Sequence, residues 1–120
     1  MIIKISCQAI IEGEKFTPEV LSIPQTIRVV EKYTKGDVIN VGRYKGNFSS
    51  EGLLIVDGDI DEIFQFIALK ILLQFTRELV KLNLCILVCF EGECNFELTA
   101  NQLIKIYDLK IPLSITCYSR

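Results

Sequence analysis

Residues 59–90 read DIDEIFQFIALKILLQFTRELVKLNLCILVCF, and the fold turns on how this stretch is divided. Asp59 is a helix-capping residue, with Glu62 three positions on in a capping-box-like pair. From Ile60 to Leu82 there is no glycine or proline. The polar residues Lys70, Gln74, Arg77 and Lys81 fall at i, i+4, i+7 and i+11, one narrow stripe on an otherwise apolar cylinder. This predicts one long central helix over about 60–82. A helix apolar on most faces lies in a core, or turns a second face to an oligomer interface. Gln65, Lys70 and Gln74 interrupt the run, which argues against a membrane span of ~20 apolar residues. After Asn83, Leu84–Phe90 is a continuous apolar strand of the kind covered on both faces.

Outward from this stretch the chain alternates. Ile3, Ile5, Cys7, Ala9 and Ile11 share one face of a first strand, which Glu12-Gly13-Glu14 ends. Thr17-Pro18 signals a short helix, closed by Pro24. Thr26–Glu31, Asp37–Gly42 and Gly52–Val56 read as strands, with Tyr44–Phe48 a loop or hairpin between the last two. Beyond Phe90, Glu91-Gly92-Glu93 is a hairpin turn into a strand Asn95–Leu98. Thr99 caps a short helix Ala100–Tyr107, and Ile111–Tyr118 is a last alternating strand. Ile11-Glu-Gly-Glu-Lys-Phe16 is echoed by Phe90-Glu-Gly-Glu-Cys-Asn-Phe96, consistent with a pseudo-repeat of two strand–helix–strand arms. The expected fold is α+β: a single domain over 1–120, with a mostly antiparallel sheet packed on the long helix and two short helices.

Composition narrows the chemistry. The 120 residues include no histidine and no tryptophan. Without histidine there is no Ser-His or Cys-His nucleophilic pair and no imidazole metal ligand. Thirteen basic and fifteen acidic residues give a net charge of −2, the wrong sign for a phosphate-binding footprint. The motif GxxxxGK[ST] is absent, so no phosphate cradle is expected. Counting a calcium loop from Asp57 puts Glu62 where glycine is required and Ala68 where glutamate is required. The five cysteines form no CxxC pair. Cys7, Cys85, Cys89 and Cys117 lie in apolar runs and read as small core hydrophobes, whereas Cys94 lies in a polar turn and is the candidate reactive thiol. Phe96, Tyr107 and Tyr118 read as core. No metal, cofactor, nucleic acid or membrane is expected, and no catalytic residue.

The acids are grouped: Glu12 with Glu14, Asp57 with Asp59, and Glu91 with Glu93. These six, with Tyr44 and Phe48 as aromatic anchors, are the candidate partner-binding residues. An odd cysteine count without a signal-peptide pattern points to a reducing cytoplasm.

Phe96-Glu-Leu-Thr-Ala-Asn-Gln-Leu103, then Leu109-Lys-Ile-Pro-Leu113 and Tyr118, resemble the tail of a bacterial family of small α+β domains of unknown function. Gly13-Glu-Lys-Phe-Thr-Pro-Glu19 and Lys35-Gly-Asp37 are similar to its opening. That family's usual tryptophan after the front motif has no counterpart here. The profile as a whole (small, acidic, without catalytic residues) resembles immunity proteins of contact-dependent and polymorphic toxin systems. That resemblance implies a cytoplasmic inhibitor binding a cognate toxin domain, a nuclease in the first instance, at its active site. The alternative is a homo-oligomeric structural or regulatory module, such as a homodimer joined through the second apolar face of 60–82.

Overall fold

A computed structural model describes residues 2–40, 42–75 and 78–119. The fold is α+β, with one five-stranded mixed sheet and two helices. The strands are β1 (Ile2–Gly13), β2 (Arg28–Tyr33), β3 (Gly52–Gly58), β4 (Lys81–Phe90) and β5 (Leu113–Ser119). Their order across the sheet is β2-β3-β1-β4-β5. The long first strand is central and is paired antiparallel along most of its length with β3 and β4. β2 pairs antiparallel with β3, while β5 runs parallel to β4. The sheet is thus antiparallel only from β2 to β4. The parallel last pair needs a crossover, and helix α2 (Ala100–Leu109) supplies it.

The long helix expected over 60–82 is not formed. Helix α1 spans Ile60–Phe66 and widens into a π-helical turn, Ile67–Ile71. The chain then turns, and β4 begins at Lys81. Val80, Leu82, Leu84, Ile86 and Val88 are all buried at a period of two, so this segment obeys strand periodicity rather than helical length. Pairing with β1 extends as far as Lys81 opposite Glu12 and competes successfully for residues that a helix would otherwise claim. Of the polar stripe, Arg77 lies outside the described residues. Asp59 does cap α1, accepting from the Asp61 N–H, but the capping box is not closed. Glu62 instead accepts from the Thr26 hydroxyl.

Other expectations change too. Pro18–Val20 is a single 3₁₀ turn, and Thr17 makes no side-chain cap bond. The pseudo-repeat therefore fails: one arm has only that turn and joins non-adjacent strands, while the other has a ten-residue helix joining neighbours. Asp37–Gly42 contributes only the bridge Val38–Phe48, with Val41 outside the described residues. Asn95–Leu98 is irregular. The helix over Ala100 onward is closed at its start by the full capping box of Thr99 and Gln102.

The core lies on one side of the sheet. Cys7, Ala9, Ile11, Leu54, Val56, Leu84, Ile86 and Val88 meet Ile60, Ile63, Phe64, Ile67 and Ile71 from the helical segment. Leu109 and Ile111 extend this layer towards β5. The opposite side of β1, β3 and β4 carries half-buried Ser6, Gln8, Ile10, Leu53, Ile55, Cys85 and Leu87. An uncovered sheet face explains a surface of 7668 Å² where ~6,600 Å² is expected for this mass. Among the described residues, no helix is long and apolar enough to cross a membrane.

Candidate functional site

The end of the sheet where β1 finishes gathers the richest chemistry. Gly13 pairs with Gly52 at the start of β3, and Glu12 pairs with Lys81 at the start of β4. Between β2 and β3 the chain folds back on itself as a flap. Gly36 N–H donates to the Ser49 carbonyl at 2.9 Å, Ser49 N–H to the Asp37 carbonyl at 2.7 Å, and Ile39 N–H to the Asn47 carbonyl at 2.9 Å. Gly42 and Gly46, both with positive φ, make the tight tip that a side chain would strain. The flap is pinned at its base, where Thr34 N–H donates to the Asp37 carboxylate, and nearer its tip, where Asn40 N–H donates to the hydroxyl of buried Tyr33.

The flap and the sheet end enclose an open cleft of about 280 Å³. Tyr44 and Phe48 come from the flap, Glu12 and Leu53 from the sheet, and Glu51 from the junction. Phe48 is 73% and Tyr44 59% exposed. Arg43 lies over the Tyr44 ring, 5.8 Å from its centroid. Partial burial, then the neighbouring Glu12 carboxyl, pushes the Glu51 carboxyl above its ordinary range, with Lys81 opposing. Lys81 stands 4.0 Å from Glu12. Glu14 is held below its ordinary range by Lys35, 2.9 Å away. Glu78 and Glu51 line an adjoining shallow cleft of about 490 Å³ with Glu12 and Lys81. The result is a concentration of carboxylate beside two exposed aromatic rings.

The eight candidate residues do not converge on one surface. Glu12, Glu14, Tyr44 and Phe48 belong to this end. Asp57 is engaged by Arg28 across the β2–β3 pair, and Asp59 is the cap of α1. Glu91 and Glu93 follow β4 at the far end, next to Ile2 rather than Glu12. About 33 Å of strand separates those two ends of β1. Glu51 and Glu78 escape sequence reading because neither has an acidic neighbour within two positions; only the pairing of β1 with β3 and β4 brings them beside Glu12.

The acidic run 57–62 is consumed by structure. Asp57 takes Arg28, Asp59 the α1 backbone, Asp61 lies 3.9 Å from Lys105, and Glu62 takes Thr26. No cluster of three or more potential metal ligands occurs among the described residues. The cysteines divide. Cys7 is buried in the core, with its thiol pushed up to about 12 by burial. Cys85 and Cys89 are half-buried on the uncovered sheet face, and Cys117 is exposed, not core. Tyr107 and Tyr118 are likewise exposed, Tyr107 on the side of α2 turned away from its buried Leu109 and Tyr118 on the uncovered sheet face beside Cys89.

Comparison of the chain with protein-family models, curated proteins and solved structures finds no match.

Proposed function

We propose that this protein acts by binding another protein rather than by catalysis, as an immunity-type inhibitor that occludes the active site of a basic toxin domain in the cytoplasm. The observation that supports this reading is the cleft in which Tyr44 and Phe48 stand exposed beside Glu12 and Glu51. Exposed aromatic side chains at a concave surface are the residues that interfaces use as anchors. Carboxylates around them supply a field that speeds encounter with a cationic surface. The active site of a nuclease is such a surface, because it must hold phosphates. Asp57 and Asp59, already engaged within the fold, serve architecture on this reading. Glu91 and Glu93, at the far end of β1, fall outside the contact on this reading.

The test is co-expression of the tagged chain with the product of the gene immediately upstream, followed by isolation at low and high salt. The reading predicts a stoichiometric complex that weakens as salt rises. Absence of a complex at either salt would remove its support.

A second reading, a homo-oligomeric module, is favoured by a specific feature. Leu103, Ile104 and Tyr107 form an exposed apolar stripe on α2, opposite its buried residue Leu109. Light scattering at high concentration separates the two: a monomer excludes the module.

A further inference from the structure

Cys94 and Cys117 are 23 residues apart in sequence, yet their Sγ atoms lie 3.8 Å apart. Two independent features of the chain bring them together. The parallel register sets Cys117 beside Val88, on the side of the sheet that carries the helices. Gly92, with φ +78°, reverses the chain directly after β4 and returns Cys94 against β5 before Thr99 starts α2. Both thiols are exposed. The other three cysteines are placed elsewhere: Cys7 is sealed in the core, Cys85 lies 3.4 Å from the Thr116 hydroxyl on the uncovered face, and Cys89 pairs in register with Tyr118 on that same face.

We infer that Cys94 and Cys117 form a reversible disulfide, a redox-modification site that staples the β4–α2 connection to the edge strand β5. Closing from 3.8 Å to the ~2.05 Å of a sulfur–sulfur bond needs only a modest shift of exposed side chains. The oxidant is a peroxide. One thiol loses its proton and its sulfur attacks a peroxide oxygen. An S–O bond forms, the O–O bond breaks, and the departing hydroxide takes the proton to become water. The second sulfur then gives up its proton and attacks the sulfenic sulfur. The S–S bond forms, the S–O bond breaks, and a second water leaves. Two thiols are oxidised by two electrons and one peroxide is reduced to two waters. A dithiol reductant reverses the step by exchange. Slight desolvation and the adjacent Cys117 hold the exposed Cys94 thiol above its ordinary range. The attacking species is the thiolate, so oxidation accelerates as pH rises.

The experiment treats the reduced, folded protein with hydrogen peroxide, then denatures and alkylates it. Expected are a fall from five alkylated thiols to three, an intact mass lower by two hydrogens in a portion taken before alkylation, and a linked peptide pair containing Cys94 and Cys117. All three are reversed by dithiothreitol. Cys94→Ser and Cys117→Ser each abolish the link, while Cys85→Ser retains it. The inference is overturned if the wild-type protein keeps five thiols, or if its linked peptides join other cysteines or two copies of the chain. Peptide mapping of the wild-type protein decides this even if a variant folds poorly.

Discussion

The carbonyl oxygen of Phe16 occupies the space in which a β-carbon on Gly52 would stand. Gly52 pairs with Gly13, and the Phe16 N–H donates back to the Gly13 carbonyl at 3.2 Å. The Phe16 ring packs edge to face on Phe75, with centroids 5.0 Å apart. The turn after β1, the start of β3 and the turn after α1 are thereby locked together. Glu51 and the flap hang from that lock. Gly52→Ala forces backbone apart and is expected to cost about 2 kcal/mol or more, the scale of overpacking. A lowered urea midpoint with unchanged slope is the expected signature. An unchanged midpoint would mean that the two segments are not in contact.

Thr99 and Thr17 both look like helix caps in sequence but differ in structure. Only Thr99 accepts a bond from a helical backbone N–H, that of Gln102. Thr99→Ala should cost about 1 kcal/mol, and Thr17→Ala under about 0.5 kcal/mol. Equal losses in thermal melts would contradict the assignment of one true cap.

Ile86 and Ile115 are neighbours in the parallel register, yet one is fully buried and the other 46% exposed. Ile86→Ala should cost about 3 kcal/mol through lost burial and a cavity. Ile115→Ala should cost well under half of that. Chemical denaturation of the two variants checks where the helical layer ends, and similar losses would show that β5 is covered.

The raised Glu51 carboxyl makes a signed pH prediction. A carboxyl whose folded pKa lies above its unfolded value binds more protons when folded, so stability falls as pH rises through that interval. Its window runs upward from the ordinary glutamate range. The lowered Glu14 acts in the opposite sense, and its window lies below that range. Glu51→Gln should match the wild-type urea midpoint in acid and exceed it slightly at neutral pH. Solvent screening keeps the difference small. A difference independent of pH would contradict a Glu51 carboxyl raised by burial and the neighbouring Glu12.

Much of the fold was legible because alternation is a local signal. β1 announces itself by alternation and β3 and β4 by short continuous apolar runs, although such a run does not say that only one face of β4 is covered, and Thr99–Gln102 announces α2. The segment 72–82 misleads because two periods overlap there. Leu72, Leu73, Phe75 and Leu79 suit a helix, while Val80 and Leu82 already belong to the strand series that ends at Val88. The choice between them is made by ten residues of β1, a partner some seventy positions away in the chain. The parallel pairing of β5 is equally invisible, since alternation does not encode direction. At the candidate site, Glu12, Tyr44 and Phe48 could be named from residue type, and their meeting in one cleft is a product of the flap. Glu51 carried no local mark. Asp57 and Asp59 looked like recognition acids, but a helix start and an ion pair across strands use them up.

The most direct test of the binding account is a comparison of partner capture by the wild-type chain and by variants of the cleft. The chain, tagged, is co-expressed with the upstream gene product, and association is followed with Phe48→Ala, Glu12→Lys and the distant Glu91→Lys. The account predicts that Phe48→Ala weakens the complex by ~1 kcal/mol or more. Glu12→Lys should slow association by about tenfold at low salt, and Glu91→Lys should leave it close to wild type. Capture unaffected by Phe48→Ala and Glu12→Lys, or lost with Glu91→Lys alone, would contradict the assignment of this cleft as the binding site.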